Sequence, residues 1–272
     1  MRCVQFFGAC QIIESIVHKL QILDFVEASI VIPVTLGFAV FILPWLRNAT
    51  GIKTSAEVSD GLGEGFSAIA LFFIFISAAS LATLQGYQKD GAKAVELELA
   101  HITSLDRDLA HRKEAEYAEA RVILKNYVRA IIDDEWPLLA DGEDSEKVTH
   151  IFGELVGKLN HLTTGEISDA LENRINIVSE SREERIEVAN LHLNKIYWGM
   201  TFAFIFLMLA ISAFTHVSLA KRAALCGKMV AIAFTLVMLV QTDGVFSGDI
   251  SIKPTGYEKL LKKMTARTAD GE

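Results

Sequence analysis

The chain has 272 residues, 51% hydrophobic and 22% charged, with a formal net charge of −8. A soluble domain of this size could bury a sizeable core without long apolar runs, yet here the apolar residues are gathered into runs of about 20, the length that crosses roughly 30 Å of hydrocarbon. This segregation argues against an ordinary soluble globule, and the acidic balance argues against a general nucleic-acid binder.

Residues 1–24 carry one early arginine, but Glu14, His18 and Lys19 interrupt the apolar stretch, and no small-residue cleavage site follows. Ile12, Ile13, Ile16, Val17, Leu20 and Leu23 recur at helical spacing, which predicts a short amphipathic helix lying on the membrane surface. The first span is expected at 25–46, FVEASIVIPVTLGFAVFILPWL, bent by Pro33 and Gly37 and closed by Trp45 at the membrane–water boundary. A loop of glycines and acids follows, holding Glu57, Asp60 and Glu64, and then a second span at 65–86. The third is expected at 197–219, opening on Tyr197–Trp198, and the fourth at 223–241 after a tight turn of Ala220, Lys221 and Arg222. The domain reading is therefore a surface segment (1–24), a transmembrane hairpin (25–87), a helical domain (88–196), a second hairpin (197–241) and a tail (242–272).

Four spans place both termini and the middle region on one side. Near the span ends these segments carry Arg2, Lys19, Lys89, Lys93, Arg182, Arg185, Lys195, Lys253 and Lys259, against Arg47, Lys53, Lys221 and Arg222 in the two short loops. Lys and Arg favour the cytoplasmic side, so the termini and the middle domain read as cytoplasmic, with the bacterial inner membrane as the site.

The middle region is polar but patterned. Val95, Leu99, Ile102, Leu105 and Leu109 step by three or four, as do Tyr117, Arg121, Leu124, Val128 and Ile131, which predicts one long helix from the second span to about Glu135. Pro137 and the DGEDS turn end it. A second helix is expected over 145–162, and the capping-box pattern Thr163-x-x-Glu166 opens a third that continues through Arg185 and Leu193 into span three. No strand-like alternation is present, so the fold class is all-α.

No enzyme signature is found: there is no phosphate loop, nucleophile elbow or zinc-protease helix. Cys3, Cys10 and Cys226 lack metal spacing and read as free thiols, and His150 and His161 have no third ligand at useful spacing. Neither a cofactor nor a metal is expected. The chemistry of interest lies on the second span. At 100° per residue Phe66, Ile69, Phe73, Ser77, Ser80, Leu84 and Tyr87 share one face, aromatic and aliphatic toward the outer end and hydroxylated toward the inner end. Around a symmetry axis this stripe would form a hydrophobic constriction followed by a wetter section. Small residues and hydroxyls also serve the contacts of packed membrane helices, so pore and packing readings both stand. No acid or base lies deep in the second or third span, which suits a passive pore or a scaffold better than an ion-coupled transporter.

Three stretches carry a family resemblance: NYVRAIIDDEWPLLADGEDS (126–145), SESREERIEVANLHLNKIYW (179–198) and QTDGVFSGDISIKPTGYEKLL (241–261). With the layout of spans, they resemble the bestrophin-like family of prokaryotic membrane proteins over residues 25–262. The matching positions are Tyr127, Glu135, Trp136 and Gly142, then Arg182 and Arg185, then Asp243, Phe246, Ser247, Gly248 and Ile252. Two prolines common in that family are replaced here, by Lys195 or Ile196 and by Val245. The resemblance implies a homo-oligomer, pentameric by analogy with bestrophin anion channels, with the second span nearest the axis. It makes Phe66, Ile69, Phe73 and Ile76 neck candidates, with Ser77, Ser80 and Leu84 below them. Trp136 would anchor the turn between helices, and Arg182 and Arg185 would pair with acids such as Glu135 or Asp249. The expected partners are the lipid bilayer, further copies of the chain and inorganic ions. The alternative is a non-conducting scaffold or sensor whose cytoplasmic helices bind a partner.

Overall fold

A computed structural model describes Val17, Lys19 and residues 24–49, 55–112, 114–162, 166–215 and 218–269. The expected surface helix of residues 1–24 falls almost entirely outside them, as do Thr163 of the capping box and the side chains of Glu57 and Asp60. Among the described residues all regular structure is helical: α1 (Phe25–Ala49), α2 (Ala56–Ala110), α3 (Ala115–Ala130), α4 (Glu146–Leu162), α5 (Glu166–Ala189), α6 (Lys195–Phe214), α7 (Leu219–Thr242) and α8 (Thr255–Ala269), with short turns of π, α and 3-10 helix between α3 and α4. The chain forms two compact units. One takes residues up to Gln85, His192–Asp243 and Gly248–Ile250, and the other takes Gly86–Leu191, Gly244–Ser247 and Ser251 onward. Helix α2 contributes to both.

The first unit holds α1, the opening part of α2, α6 and α7. All four helices are long and apolar enough to cross a membrane. Helix α1 packs against α7 and α6, and the contact with α7 is close because Gly37 has no side chain. A Cβ there would meet Val230 Cγ2 at 3.1 Å and Cys226 Sγ at 3.2 Å. The outward surface is apolar, with Val34, Phe38, Phe75 and Phe206 each more than 60% exposed. Water would penalise such a surface and hydrocarbon does not. The glycine-rich run ahead of the second span is part of α2 rather than a loop, so continuity with the apolar helix outweighs the cost of about 1 kcal/mol per internal glycine. Helix α7 starts at Leu219, capped by the Ser218 hydroxyl, so Ala220, Lys221 and Arg222, expected in a turn, are helical.

In the second unit the long helix expected to reach Glu135 is broken. Helix α2 ends at Ala110 and α3 starts at Ala115. The two run antiparallel, as the pairing of Arg121 with Asp106 and of Tyr127 with Glu98 requires. Each carries an apolar stripe, and folding back buries Ile102, Leu105 and Leu109 with Leu124, Val128 and Ile131 in one core. A straight rod would have left both stripes in water. The chain then passes through a π-helical turn, Ile131–Glu135, and turns at Gly142, where φ is 73°. Helix α5 also stops short of the third span. It ends at Ala189, and α6 begins afresh with Asn194 accepting from the Ile196 amide.

Gly37→Leu is expected to overpack the α1–α7 contact and to destabilise the protein by about 1–3 kcal/mol, seen as a lower midpoint of thermal unfolding in detergent. Gly153→Ala, at an open position on α4, is expected to cause no loss.

Candidate functional site

The stripe read on the second span lies on α2, and its orientation can be taken residue by residue. Phe66, Phe73, Ser77, Ser80 and Leu84 are each at most 2% exposed, packed within their own chain. Ile69 and Ile76 are half-buried. From α7, Lys228 reaches over the Phe66 ring, 5.7 Å from its centroid, and donates to Ser67 Oγ at 3.2 Å. Within the single chain the five buried side chains of this stripe are packed inward, where hydroxyls and aromatic rings serve helix packing. The opposite face of α2 is free. Leu71 and Phe75 are 68% and 73% exposed, and Ala68, Ala78, Ala79 and Ala82 are exposed beside them.

In the second unit the structure gathers several of the motif residues into one buried lattice. Arg185 on α5 is its centre. Its Nε donates to Glu98 Oε2 at 2.7 Å and its Nη2 to Glu135 Oε2 at 2.6 Å, with all three side chains fully buried. Arg182 donates to Glu135 Oε1 at 2.5 Å and to Thr149 Oγ1 at 3.0 Å. The Tyr127 and Tyr257 hydroxyls donate to Glu98 at 3.0 and 2.7 Å. Two carboxylates and two guanidiniums make the lattice neutral, which is what allows it to be buried. Trp136 closes one side, edge-on to Phe246 at 5.3 Å and beside Tyr257 at 5.5 Å, and the Arg185 guanidinium lies 5.7 Å from its ring.

The electrostatics follow from this packing. Burial pushes the Glu135 carboxyl up, but the Arg185 charge and the Arg182 hydrogen bond outweigh it and hold the group below its ordinary value. Burial, and then the Glu98 charge, push the Tyr127 and Tyr257 hydroxyls well up, so both remain donors. For Arg185 burial acts downward and is overcome, first by Glu98, so its charge is held firmly.

Asp243 anchors a separate feature in the first unit. It is buried, accepting from the Leu193 amide at 2.7 Å and from Trp198 Nε1 at 3.0 Å. It thus ties the end of α7 to the start of α6. His192 Nδ1 lies 3.7 Å from the same carboxylate, whose interaction with the ring raises the His192 value despite partial burial. Asp249 accepts from the Phe25 amide at 2.7 Å. Gly248 takes a left-handed conformation, φ 78°, packed close to Gln241.

The lattice thus contains Tyr127, Glu135, Trp136, Arg182 and Arg185, with Phe246 against Trp136. Asp243 and Gly248 belong to the first unit. Two lattice participants, Glu98 and Tyr257, were not read from sequence. Glu98 had a visible signal, an acid on the apolar stripe between Val95 and Ile102. Tyr257 had only its helical spacing to Leu260 and Met264. Trp198, expected at the membrane boundary, also donates its indole N–H to Asp243.

A family model described as the Bestrophin-like domain matches residues 34–257. Comparison with curated proteins and with solved structures gives no match.

Arg185→Leu leaves the buried Glu98 without a cation and Glu135 with Arg182 alone and is expected to cost about 3–5 kcal/mol, and Arg185→Lys is expected not to restore it because the two-sided fork is lost. Thermal unfolding measures both. Because Glu135 titrates below its unfolded value of 4.5, its contribution is complete above that pH and is lost as pH falls through the folded value. Glu135→Gln is expected to lower the unfolding midpoint at neutral pH and to flatten its dependence on acid below about pH 4.5.

Proposed function

The chain belongs to the bestrophin-like family, and from that membership we propose that it is an oligomeric passive ion channel of the bacterial inner membrane, conducting anions through a hydrophobic constriction on α2. The family match carries the reading, since it runs from within α1 across α2, α6 and α7. The distribution of Lys and Arg supports cytoplasmic termini and a cytoplasmic domain over residues 88–196. The anion preference and a pentameric state rest on the family's likeness to bestrophins.

The exposure pattern of α2 directs the choice of lining face. Phe66, Phe73, Ser77, Ser80 and Leu84 have little accessible surface in the single chain, which favours the opposite face of α2 as the lining. The free face offers Leu71 and Phe75 as a narrow apolar ring, with Ala78, Ala79 and Ala82 giving a wider section on the cytoplasmic side. Apolar rings of this kind gate by dewetting, and passage requires only that water fill the constriction. Glu64, exposed on α2 ahead of the ring, opposes anion entry by its charge.

Purified protein in a planar bilayer under a chloride gradient is expected to give anion-selective currents. Phe75→Ala is expected to raise unit conductance by widening the ring, and Glu64→Gln to raise anion over cation permeability. Phe73→Ala, on the packed face, is expected to lower the unfolding midpoint while leaving conductance and selectivity unchanged. Silence under all common anions and cations at every voltage would replace the channel with the non-conducting scaffold or sensor.

A further inference from the structure

The second unit carries two charged surfaces of opposite sign, and among the described residues neither is neutralised by ion pairs. The first is a groove of about 530 Å³ between α2 and α8. Leu99 and Leu260 form its apolar floor, and Arg107, Lys259 and Lys263 stand on its walls against a single acid, Glu96. Gly256 lets the helices approach this closely, because a Cβ there would collide with Leu99. Among the described residues none of the three cations has an ion-pair partner. In a chain of net charge −8, this is a local reversal of sign.

The second surface is the outward face of α5. Glu172, Glu180, Glu183 and Glu187 are exposed along it with Asn173 and Asn176 between them. The cations of α5 are turned away: Arg182 and Arg185 into the lattice, and Arg174 onto Asp108 at 2.8 Å. Among the described residues no ion pair links the acidic face to the groove.

The two surfaces lie at the same height along α2. Helix α5 runs antiparallel to it, with Arg185 bonded to Glu98 and Arg174 to Asp108. Helix α8 runs parallel to it, with Tyr257 bonded to Glu98 and Arg267 to Asp106. The stretch of α2 that lines the groove is thus flanked by the α5 segment that bears the acids. Rotation about an axis along α2 preserves height. A copy turned about such an axis would bring its acidic face level with its neighbour's basic groove, and the same contact repeats until the ring closes.

We infer that the α2–α8 groove is a subunit interface that receives the acidic face of α5 from the adjacent copy of this chain. The inference rests on the homo-oligomer in the proposed function and names the surface that joins its copies. Charge complementarity sets partner and register, and the apolar floor of the groove supplies the contact area.

Charge reversal and charge exchange test this, with mass measured by light scattering on full-length protein in detergent. The unsubstituted protein is expected to be oligomeric. Lys259→Glu with Lys263→Glu is expected to shift mass to the single protomer, and adding Glu180→Lys with Glu183→Lys to return it to the oligomer. Arg129→Glu with Lys262→Glu, on the other flank of α8, is expected to leave mass unchanged. An oligomer indifferent to Lys259 and Lys263 overturns the interface and leaves the channel reading intact. Dissociation that the exchange does not reverse overturns the pairing with α5. A protomer before any substitution overturns both this interface and the homo-oligomer. Unchanged mass, with inorganic pyrophosphate raising the unfolding midpoint of the unsubstituted but not the reversed protein, gives the groove to a small polyanion and overturns the interface.

Discussion

A single guanidinium holds the second unit together. Arg185 bonds Glu98 on one side and Glu135 on the other, and it is the guanidinium that joins the two buried acids, Arg182 adding a second partner for Glu135 alone. Glu98 lies on α2, Glu135 in the π-helical turn after α3, Tyr127 on α3, Tyr257 on α8 and Arg185 on α5. Four stretches distant in sequence (α2, α3 with the π-helical turn that continues it, α5 and α8) therefore converge on one neutral cluster. The geometric demand is high: a shifted helix would leave a charge without a partner, so the lattice selects one arrangement among the many that hydrophobic contact alone would tolerate. The π-helical turn contributes by placing both Ile131 and Glu135 in the interior.

The same physics operates in reverse in the first unit, where the solvent outside is taken to be lipid. Hydrophobic burial then gives no preference between an inward and an outward leucine, and packing is decided by small residues and close contact. Gly37 against Val230 and Cys226 is one such contact. Ser77 and Ser80 turned into the bundle are another instance, and Leu71 and Phe75 are left on the outside. Asp243 supplies the polar tie at the helix ends, joining the end of α7 to Leu193 and Trp198.

The two units therefore expose different surfaces to different neighbours. One presents alkyl and aromatic groups and is stable only where water is absent. The other presents charge, part of it paired locally, as in Lys147 with Asp134 and Lys158 with Glu119, and part of it sorted by sign onto the α2–α8 groove and the outward face of α5. Sorting of this kind forgoes intramolecular ion pairs worth little at a surface and leaves fields that a partner can read.

Much of the architecture was legible in one dimension. Apolar run length is a property of the string, so four membrane-length helices could be counted directly. Helical period is equally local, so the amphipathic stripes of the middle region were visible, and residue identities at Tyr127, Glu135, Trp136, Arg182 and Arg185 carried the family. What the string could not hold was direction. A stripe on α2 states which residues share a face and not what that face meets, because a packed contact and a pore wall use the same small and hydroxylated residues. The break between Ala110 and Ala115 carries no proline or glycine, and it exists because two apolar stripes bury more surface against each other than along one rod. The pairing of Glu98 with Arg185, 87 positions apart, was settled by the folded chain alone, since a buried charge takes as its partner whichever opposite charge the packing brings within reach.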